Sequence, residues 1–139
     1  HGLSKHDSHF NLSYINNKLR YLEKNDFFTF KNKNSLFAMT AHIVFSSLDK
    51  NDCITLSKVG IKYIRNKIKF KNLIISDDIS MKALKYSFTE NVKKAYSAGC
   101  NLVLHCNTNM SEMNKLASIA PKIDKFTIKK TSEFYKLLS

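Results

Sequence analysis

Three short apolar runs, separated by segments with helical character, constrain the fold of this chain more than any other feature. The runs cover residues 35–45, 72–76 and 101–106. A nearly unbroken apolar run is typical of a strand buried on both faces, as in a parallel sheet. Strands that alternate with helices therefore predict an α/β fold built from parallel β/α units.

The predicted helices carry capping residues at their ends. The sequence predicts helices over residues 11–26, 89–98 and 111–119, a helix that opens at Ser57, and a basic helical tail. Thr89 is the predicted N-cap of one helix, and Gly99 stands just past its end. The apolar face predicted for the helix after Ser57 consists of Val59, Ile61, Ile64 and Ile68.

Rare polar residues gather where the predicted strands end. His42, Asp77, Asp78 and His105 all lie near those ends. Functional residues of parallel sheets lie beyond the carboxyl ends of the strands. An isolated ionised carboxylate is costly to keep away from water. Asp77 and Asp78 are therefore expected either to cap the following turn or to take part in chemistry, and His105 is more consistent with a structural role.

The first ten residues hold a second chemical motif. Asp7 precedes His9 by two residues, and an aspartate beside a histidine can orient the ring and stabilise its protonated form. An acid/base group on a loop and a carboxylate such as Asp77 on a strand meet the needs of retaining glycoside hydrolysis. A metal site formed by His6, Asp7 and His9 is the alternative, although it lacks further ligands.

Composition limits the classes of partner. The 139 residues carry 23 basic and 11 acidic side chains, for a net charge of +12. Base-specific readout relies on arginine, but only Arg20 and Arg65 are arginines and the lysines are scattered, so nucleic-acid binding is not expected. No apolar run reaches the roughly 18 residues of a membrane span, so no membrane contact is expected either. Three cysteines without a CxxC pair suit reduced thiols.

Four motifs in order resemble a known family. The pattern HG-x-S-x-x-DSH, then MTAHI, IISDDISM and AGCNLVLHC, is similar to the bacterial β-N-acetylhexosaminidases of glycoside hydrolase family 3. The resemblance implies a (β/α)8-like barrel that removes terminal N-acetylglucosamine from cell-wall fragments during peptidoglycan recycling in the cytoplasm. It implies retaining chemistry on a small carbohydrate (a muropeptide or a GlcNAc-containing disaccharide) with no metal or organic cofactor.

The same resemblance implies roles for individual residues. Asp77 matches the nucleophile, with Asp78 as its supporting neighbour. His9 matches the acid/base, and Asp7 matches the residue that orients it. The residues implied to lie near the sugar are His1, His42 and Met81.

The chain departs from the family pattern in its sugar-binding part. Only HG remains of the family motif KHFPGHG, and Ser13 stands near the place of a proline that usually follows the DSH loop. We therefore expect residues 1–139 to be the C-terminal part of one barrel domain, about the last three strands of eight, with the N-terminal strands absent. The missing half of the barrel is then a candidate partner.

Two other functions fit the same sequence. The first is a non-catalytic product of truncation or gene splitting that needs a partner to supply the missing strands, because three parallel strands leave open edges. The second, which the sequence favours less, is a basic module that binds anionic polymers.

Overall fold

The computed structural model describes residues 2–4 and 11–138. The strands are β1 (Ser13–Ile15), β2 (Phe37–Met39), β3 (Ile43–Phe45), β4 (Leu73–Asp78) and β5 (Leu102–Leu104). The α-helices are α1 (Leu19–Asn25), α2 (Lys58–Tyr63), α3 (Phe88–Ala98), α4 (Met110–Ile119) and α5 (Lys125–Tyr135). Two 3-10 turns (Phe27–Phe30 and Ile54–Leu56) and a π-helical turn (Ile64–Ile68) complete the elements. No helix in this part of the chain is both long enough and apolar enough to cross a membrane.

All strand pairs of the described residues are parallel, as the sequence predicts. The larger sheet has the order β2-β4-β5, with Phe37 opposite Leu73 and Ile75 opposite Leu102. A separate pair joins β1 to β3, with Ser13 opposite Ile43. Parallel neighbours require crossover connections, and helices supply them between β2, β4 and β5.

The apolar run over residues 35–45 is not the single strand that its composition predicts. It forms two strands, β2 and β3, which belong to different sheets. Between them, Thr40 still donates its amide to the carbonyl of Ile75, but its hydroxyl contacts Thr55. The fully buried His42 also bonds to Thr55. Because buried polar side chains need partners, these contacts end the regular pairing and redirect the chain.

The helix predicted over residues 11–26 starts later than expected. Residues Ser13–Ile15 form β1, and α1 begins at Leu19. In β1 the side chains of Ser13 and Ile15 are buried whereas Tyr14 is exposed. Alternation of buried and exposed side chains is typical of a strand. Three residues are too few for that pattern to be recognised in the sequence beside the helical spacing that follows.

Two helix ends agree with the sequence and one does not. Ser57 caps α2 by accepting the amide of Gly60, as predicted. Gly99 ends α3 in the left-handed region, with a φ of 116°, which glycine adopts without a Cβ penalty. The N-cap of α3 is Ser87, which accepts the amide of Glu90, rather than the predicted Thr89.

The apolar face predicted for the helix after Ser57 is correct in part. Ile61 and Ile68 are buried and Ile64 is partly buried, whereas Val59 is exposed.

The main core lies between the larger sheet and its helices. Fully buried side chains of β4 and α3, including Ile74 and Val92, pack there with Val44 of β3. A second cluster joins Ile15, Leu22 and Ile43. The two clusters share partly buried residues such as Phe45, so both sheets rest on a continuous apolar layer.

One arginine connects the amino ends of the central strands. The Arg65 guanidinium donates to the carbonyls of Phe70 and Asn72, just before β4, and to the side-chain oxygen of Asn101, just before β5. The same oxygen of Asn101 accepts the amide of Ile74. The guanidinium also lies 5.9 Å from the ring centre of Phe126 in α5. Arg65 therefore holds two strands and the last helix together.

Replacing Arg65 with methionine should lower the free energy of unfolding by about 2 kcal/mol, because three acceptors lose a charged donor. The matched control is Arg20→Met on the exposed face of α1, which should change it by less than about 0.5 kcal/mol. Urea unfolding followed by circular dichroism measures both. Equal effects of the two substitutions would contradict the role given to Arg65.

Candidate active site

The candidate site lies at the carboxyl end of β4. Asp77 and Asp78 are the last two residues of that strand, and both are partly buried. Oδ1 of Asp77 accepts the backbone amide of Asp78 at 2.8 Å. Its other carboxylate oxygen receives no hydrogen bond from any described residue. Asp77 therefore presents an oriented carboxylate with one oxygen that no residue in the described part of the chain occupies, an arrangement that suits a nucleophile.

The carboxylate of Asp78, by contrast, is fully engaged. It accepts the amide of Ser80 at 3.0 Å, the Ser80 hydroxyl at 2.8 Å and the amide of Cys106 at 3.1 Å. Burial raises the pKa of Asp78, but the hydrogen bonds from Ser80 and Cys106 outweigh it and hold the pKa below its ordinary value. Asp78 thus joins the turn after β4 to the end of β5, and its geometry suits the supporting role implied by the resemblance.

His42 lies behind this strand end, fully buried. Its Nε2 is 2.9 Å from the carbonyl oxygen of Asp78, and its Nδ1 is 2.9 Å from the hydroxyl of Thr55. Burial lowers the pKa of His42, although the Asp78 carbonyl and the charges of Asp77 and Asp78 act in the opposite direction. The ring has no exposed atom to offer a sugar, so the structure favours positioning over the predicted substrate contact.

The other predicted residues occupy different places. Met81 is half-buried in the turn after β4 and donates its amide to the Asp78 carbonyl at 3.2 Å. His105 follows β5, pairs with Glu112 at 3.0 Å and contacts the ring of Phe88. This pairing suits the structural role expected for His105. His1, His6, Asp7 and His9 lie outside the described residues.

Sequence reasoning missed Thr55. It stands in the 3-10 turn Ile54–Leu56, 13 positions from His42, and nothing in the local pattern marks it. Its side chain is fully buried beside the core residues Ile54 and Leu56, and this burial is visible only in the structure. No three potential metal ligands come together within residues 2–4 and 11–138.

Comparison with known proteins identifies the family. Residues 1–132 match the family described as Glycosyl hydrolase family 3 N terminal domain. The chain belongs to glycoside hydrolase family 3. The match covers the DSH, AHI and SDD motifs together, and it confirms the resemblance derived from them.

Curated relatives in family 3 carry the name Beta-hexosaminidase. The protein of Nitrosomonas eutropha is 31% identical over 124 residues, which are 86% of this chain and 36% of that protein. The protein of Haemophilus influenzae is 36% identical over 114 residues, or 77% of this chain and 32% of that protein. The chain thus spans about a third of the length of these relatives.

Solved structures share the fold. The crystal structure of CbsA from Thermotoga neapolitana aligns with a TM-score of 0.81 and 30% identity, over 100% of this chain and 35% of that one. Native NagZ from Neisseria gonorrhoeae aligns with a TM-score of 0.79 and 25% identity, over 94% of this chain and 39% of that one. The predicted fold, parallel β/α units from part of a TIM-like (β/α)8 barrel, is confirmed.

His42 should make the chain less stable as the pH falls below the ordinary histidine pKa of about 6.5. Its folded pKa is depressed by burial, whereas the unfolded chain has the ordinary value of about 6.5. The unfolded state therefore binds the proton first, and the stability contributed above that value is lost as the pH falls towards the folded pKa. Urea unfolding midpoints measured at pH 7.5 and 5.5 test this prediction. The difference between the two midpoints should be smaller in His42→Gln than in the unmodified chain.

The control for this measurement is Thr127→Val in α5, which removes a buried hydroxyl at the opposite end of the sheet. It should lower stability while keeping the pH dependence of the unmodified chain. An undiminished pH dependence in His42→Gln would show that His42 is not the group responsible.

Proposed function

We propose that this chain carries the nucleophile of a retaining β-N-acetylhexosaminidase, which removes terminal non-reducing N-acetyl-β-D-glucosamine from peptidoglycan fragments. The observation that carries the proposal is the Asp77 carboxylate at the end of β4, which is held through one oxygen, while its other oxygen accepts no hydrogen bond from residues 2–4 or 11–138. Membership of family 3 and relatives named Beta-hexosaminidase supply the reaction class.

In the proposed reaction, the free oxygen of Asp77 attacks the anomeric carbon. The bond to the leaving oxygen breaks as His9, oriented by Asp7, gives that oxygen a proton. The product of this step is a glycosyl ester on Asp77. His9 then takes a proton from water, which attacks the same carbon and releases Asp77 and the sugar with its original configuration.

The surroundings of Asp77 support its part in this scheme. Because its Oδ1 accepts the Asp78 amide, the carboxylate is oriented before substrate arrives, which lowers the cost of reaching the reactive geometry. The Asp78 carboxylate is occupied by Ser80 and Cys106, so only Asp77 of the pair is available for attack.

The setting of the reaction belongs to the same proposal. We place it in the cytoplasm, in cell-wall recycling, with a muropeptide or GlcNAc-containing disaccharide as substrate. Met81, in the turn after β4, and His1 are the proposed substrate contacts of this chain. Because the chain spans about a third of its relatives, turnover is assigned to a polypeptide or complex that completes the barrel, of which residues 1–139 form the C-terminal part.

Asp77→Asn in that complete protein should reduce hydrolysis of an aryl N-acetyl-β-D-glucosaminide by roughly four orders of magnitude or more, the scale expected when a nucleophile is removed. Mass spectrometry of the quenched unmodified enzyme should find a glycosylated peptide containing Asp77. The control is Asp124→Asn at the exposed N-cap of α5, where both residues cap about equally well. A near-normal rate in Asp77→Asn would exclude Asp77 as the nucleophile.

The second candidate is a chain without catalytic activity that requires a partner for its open edges. The observation in its favour is the larger sheet itself, in which β2 and β5 are both edge strands. Met39 of β2 is 60% exposed, and unpaired strand edges with apolar side chains associate readily.

If this second candidate is correct, the isolated 139-residue chain should self-associate at micromolar concentration. Sedimentation equilibrium gives its mass, and urea unfolding gives its cooperativity. A monomer of 16.0 kDa that unfolds cooperatively would contradict the need for a partner.

A further inference from the structure

Three buried polar side chains form a continuous hydrogen-bonded chain behind the candidate site. The hydroxyl oxygens of Thr40 and Thr55 are 2.9 Å apart, and the Thr55 hydroxyl is 2.9 Å from Nδ1 of His42. Nε2 of His42 is 2.9 Å from the carbonyl oxygen of Asp78. Thr40 is 5% exposed, and Thr55 and His42 are 0% exposed. Such a network is costly to bury unless each member is satisfied.

The chemistry of the groups fixes the direction of these bonds. A carbonyl oxygen only accepts, so Nε2 of His42 carries the proton that reaches Asp78. Burial holds the pKa of His42 low, so the ring is neutral and Nδ1 accepts from the Thr55 hydroxyl. The Ala41 carbonyl, at 3.2 Å, is the more distant acceptor for the same hydroxyl. Because the Thr55 proton goes to His42, Thr40 donates to Thr55 at 2.9 Å in preference to the Ile75 carbonyl at 3.4 Å, and the chain runs in one direction towards Asp78.

The network ends on the residue that orients Asp77. The Asp78 carbonyl accepts from Nε2 of His42 at 2.9 Å and from the Met81 amide at 3.2 Å, the Asp78 carboxylate accepts from Ser80 and Cys106, and the Asp78 amide donates to Oδ1 of Asp77. Asp78 is thus anchored on both sides of its Cα. Its amide is held in one place, and with it the carboxylate of Asp77.

We propose that Thr40, Thr55 and His42 form a positioning relay. The relay holds the backbone on the carbonyl side of Asp78 in place and thereby aims the Asp77 carboxylate, which is bonded to the Asp78 amide. The proposal rests on the proposed function of Asp77 as nucleophile. It assigns His42 no contact with substrate. The Asp78 carbonyl fixes the Nε2–H tautomer of His42, and the Thr55 hydroxyl, which donates to Nδ1, holds the ring in the orientation that reaches Asp78.

The relay predicts a particular kinetic signature. Misplacement of a reacting group by about 1 Å can cost about 10²-fold in rate. Because the buried His42 ring does not touch the sugar, its loss should lower kcat while leaving KM nearly unchanged. A substrate-contacting histidine would instead raise KM.

The first test compares two amide replacements of His42 in the complete protein. The amide nitrogen of glutamine can take the place of Nε2, whereas asparagine reaches only the position of Nδ1. His42→Asn should therefore lower kcat by about 10²-fold with KM within about twofold, and His42→Gln should retain clearly more activity. A raised KM with normal kcat, or equal rates for the two variants, would overturn the relay.

The second test addresses Thr55, with Thr55→Val removing the hydroxyl at constant shape. Thr55→Val should lower kcat, and Thr55→Ser should restore most of the loss because serine keeps the hydroxyl. Thr127→Val is the control for loss of a buried hydroxyl elsewhere, and it should leave kcat unchanged. Equal kcat for Thr55→Val and the unmodified protein would contradict the relay.

A readout without turnover separates this proposal from the proposed function. Imidazole nitrogen NMR should find the Nε2–H tautomer of His42, and Thr55→Val should perturb it and speed hydrogen exchange at the Asp78 amide. If the unmodified protein hydrolyses no glycoside but these changes occur, the proposed function fails, whereas the hydrogen-bonded coupling of Thr55 and His42 to Asp78 stands. An Nδ1–H tautomer, or unchanged exchange in Thr55→Val, would overturn the relay whatever the activity.

Discussion

The hydrogen bond from His42 to the Asp78 carbonyl is the interaction on which the candidate site depends. It joins the bend between β2 and β3 to the end of β4, two parts of the chain that are 36 residues apart. Because the buried His42 ring needs an acceptor for its N–H, and because burial lowers the pKa of the ring, this bond satisfies the imidazole without placing a charge in the core. The bend that ends β2 and the placement of Asp77 thus have one physical cause.

The two ends of the larger sheet are organised differently. At the amino ends, Arg65 and Asn101 bond mainly to backbone carbonyls and amides, and these contacts serve stability. At the carboxyl ends, several donors bond to the carboxylate of Asp78, whereas one oxygen of the Asp77 carboxylate accepts no hydrogen bond from any residue that the structure describes. This division is expected of barrel enzymes, whose chemistry lies at the carboxyl face and whose opposite face maintains the fold.

Local signals predicted much of this arrangement. The parallel strands, the Ser57 cap, Gly99 at the end of α3 and Asp77 at the end of β4 each follow from a few adjacent residues. What sequence reasoning missed involves distant contacts. The run over residues 35–45 is equally apolar on both sides of its bend, and the bend itself depends on Thr55, a residue of another segment.

The position of Asp77 and the binding of a sugar depend on different lengths of chain. The bonds that orient Asp77 all come from residues between Thr40 and Cys106, so its geometry is built within one continuous stretch of this chain. Sugar binding in a barrel draws on the ends of several strands, and this chain spans about a third of its relatives. Under the proposed function, the position of Asp77 therefore needs only this part of the fold, whereas turnover also needs the other strand ends of a complete barrel to hold the sugar against it.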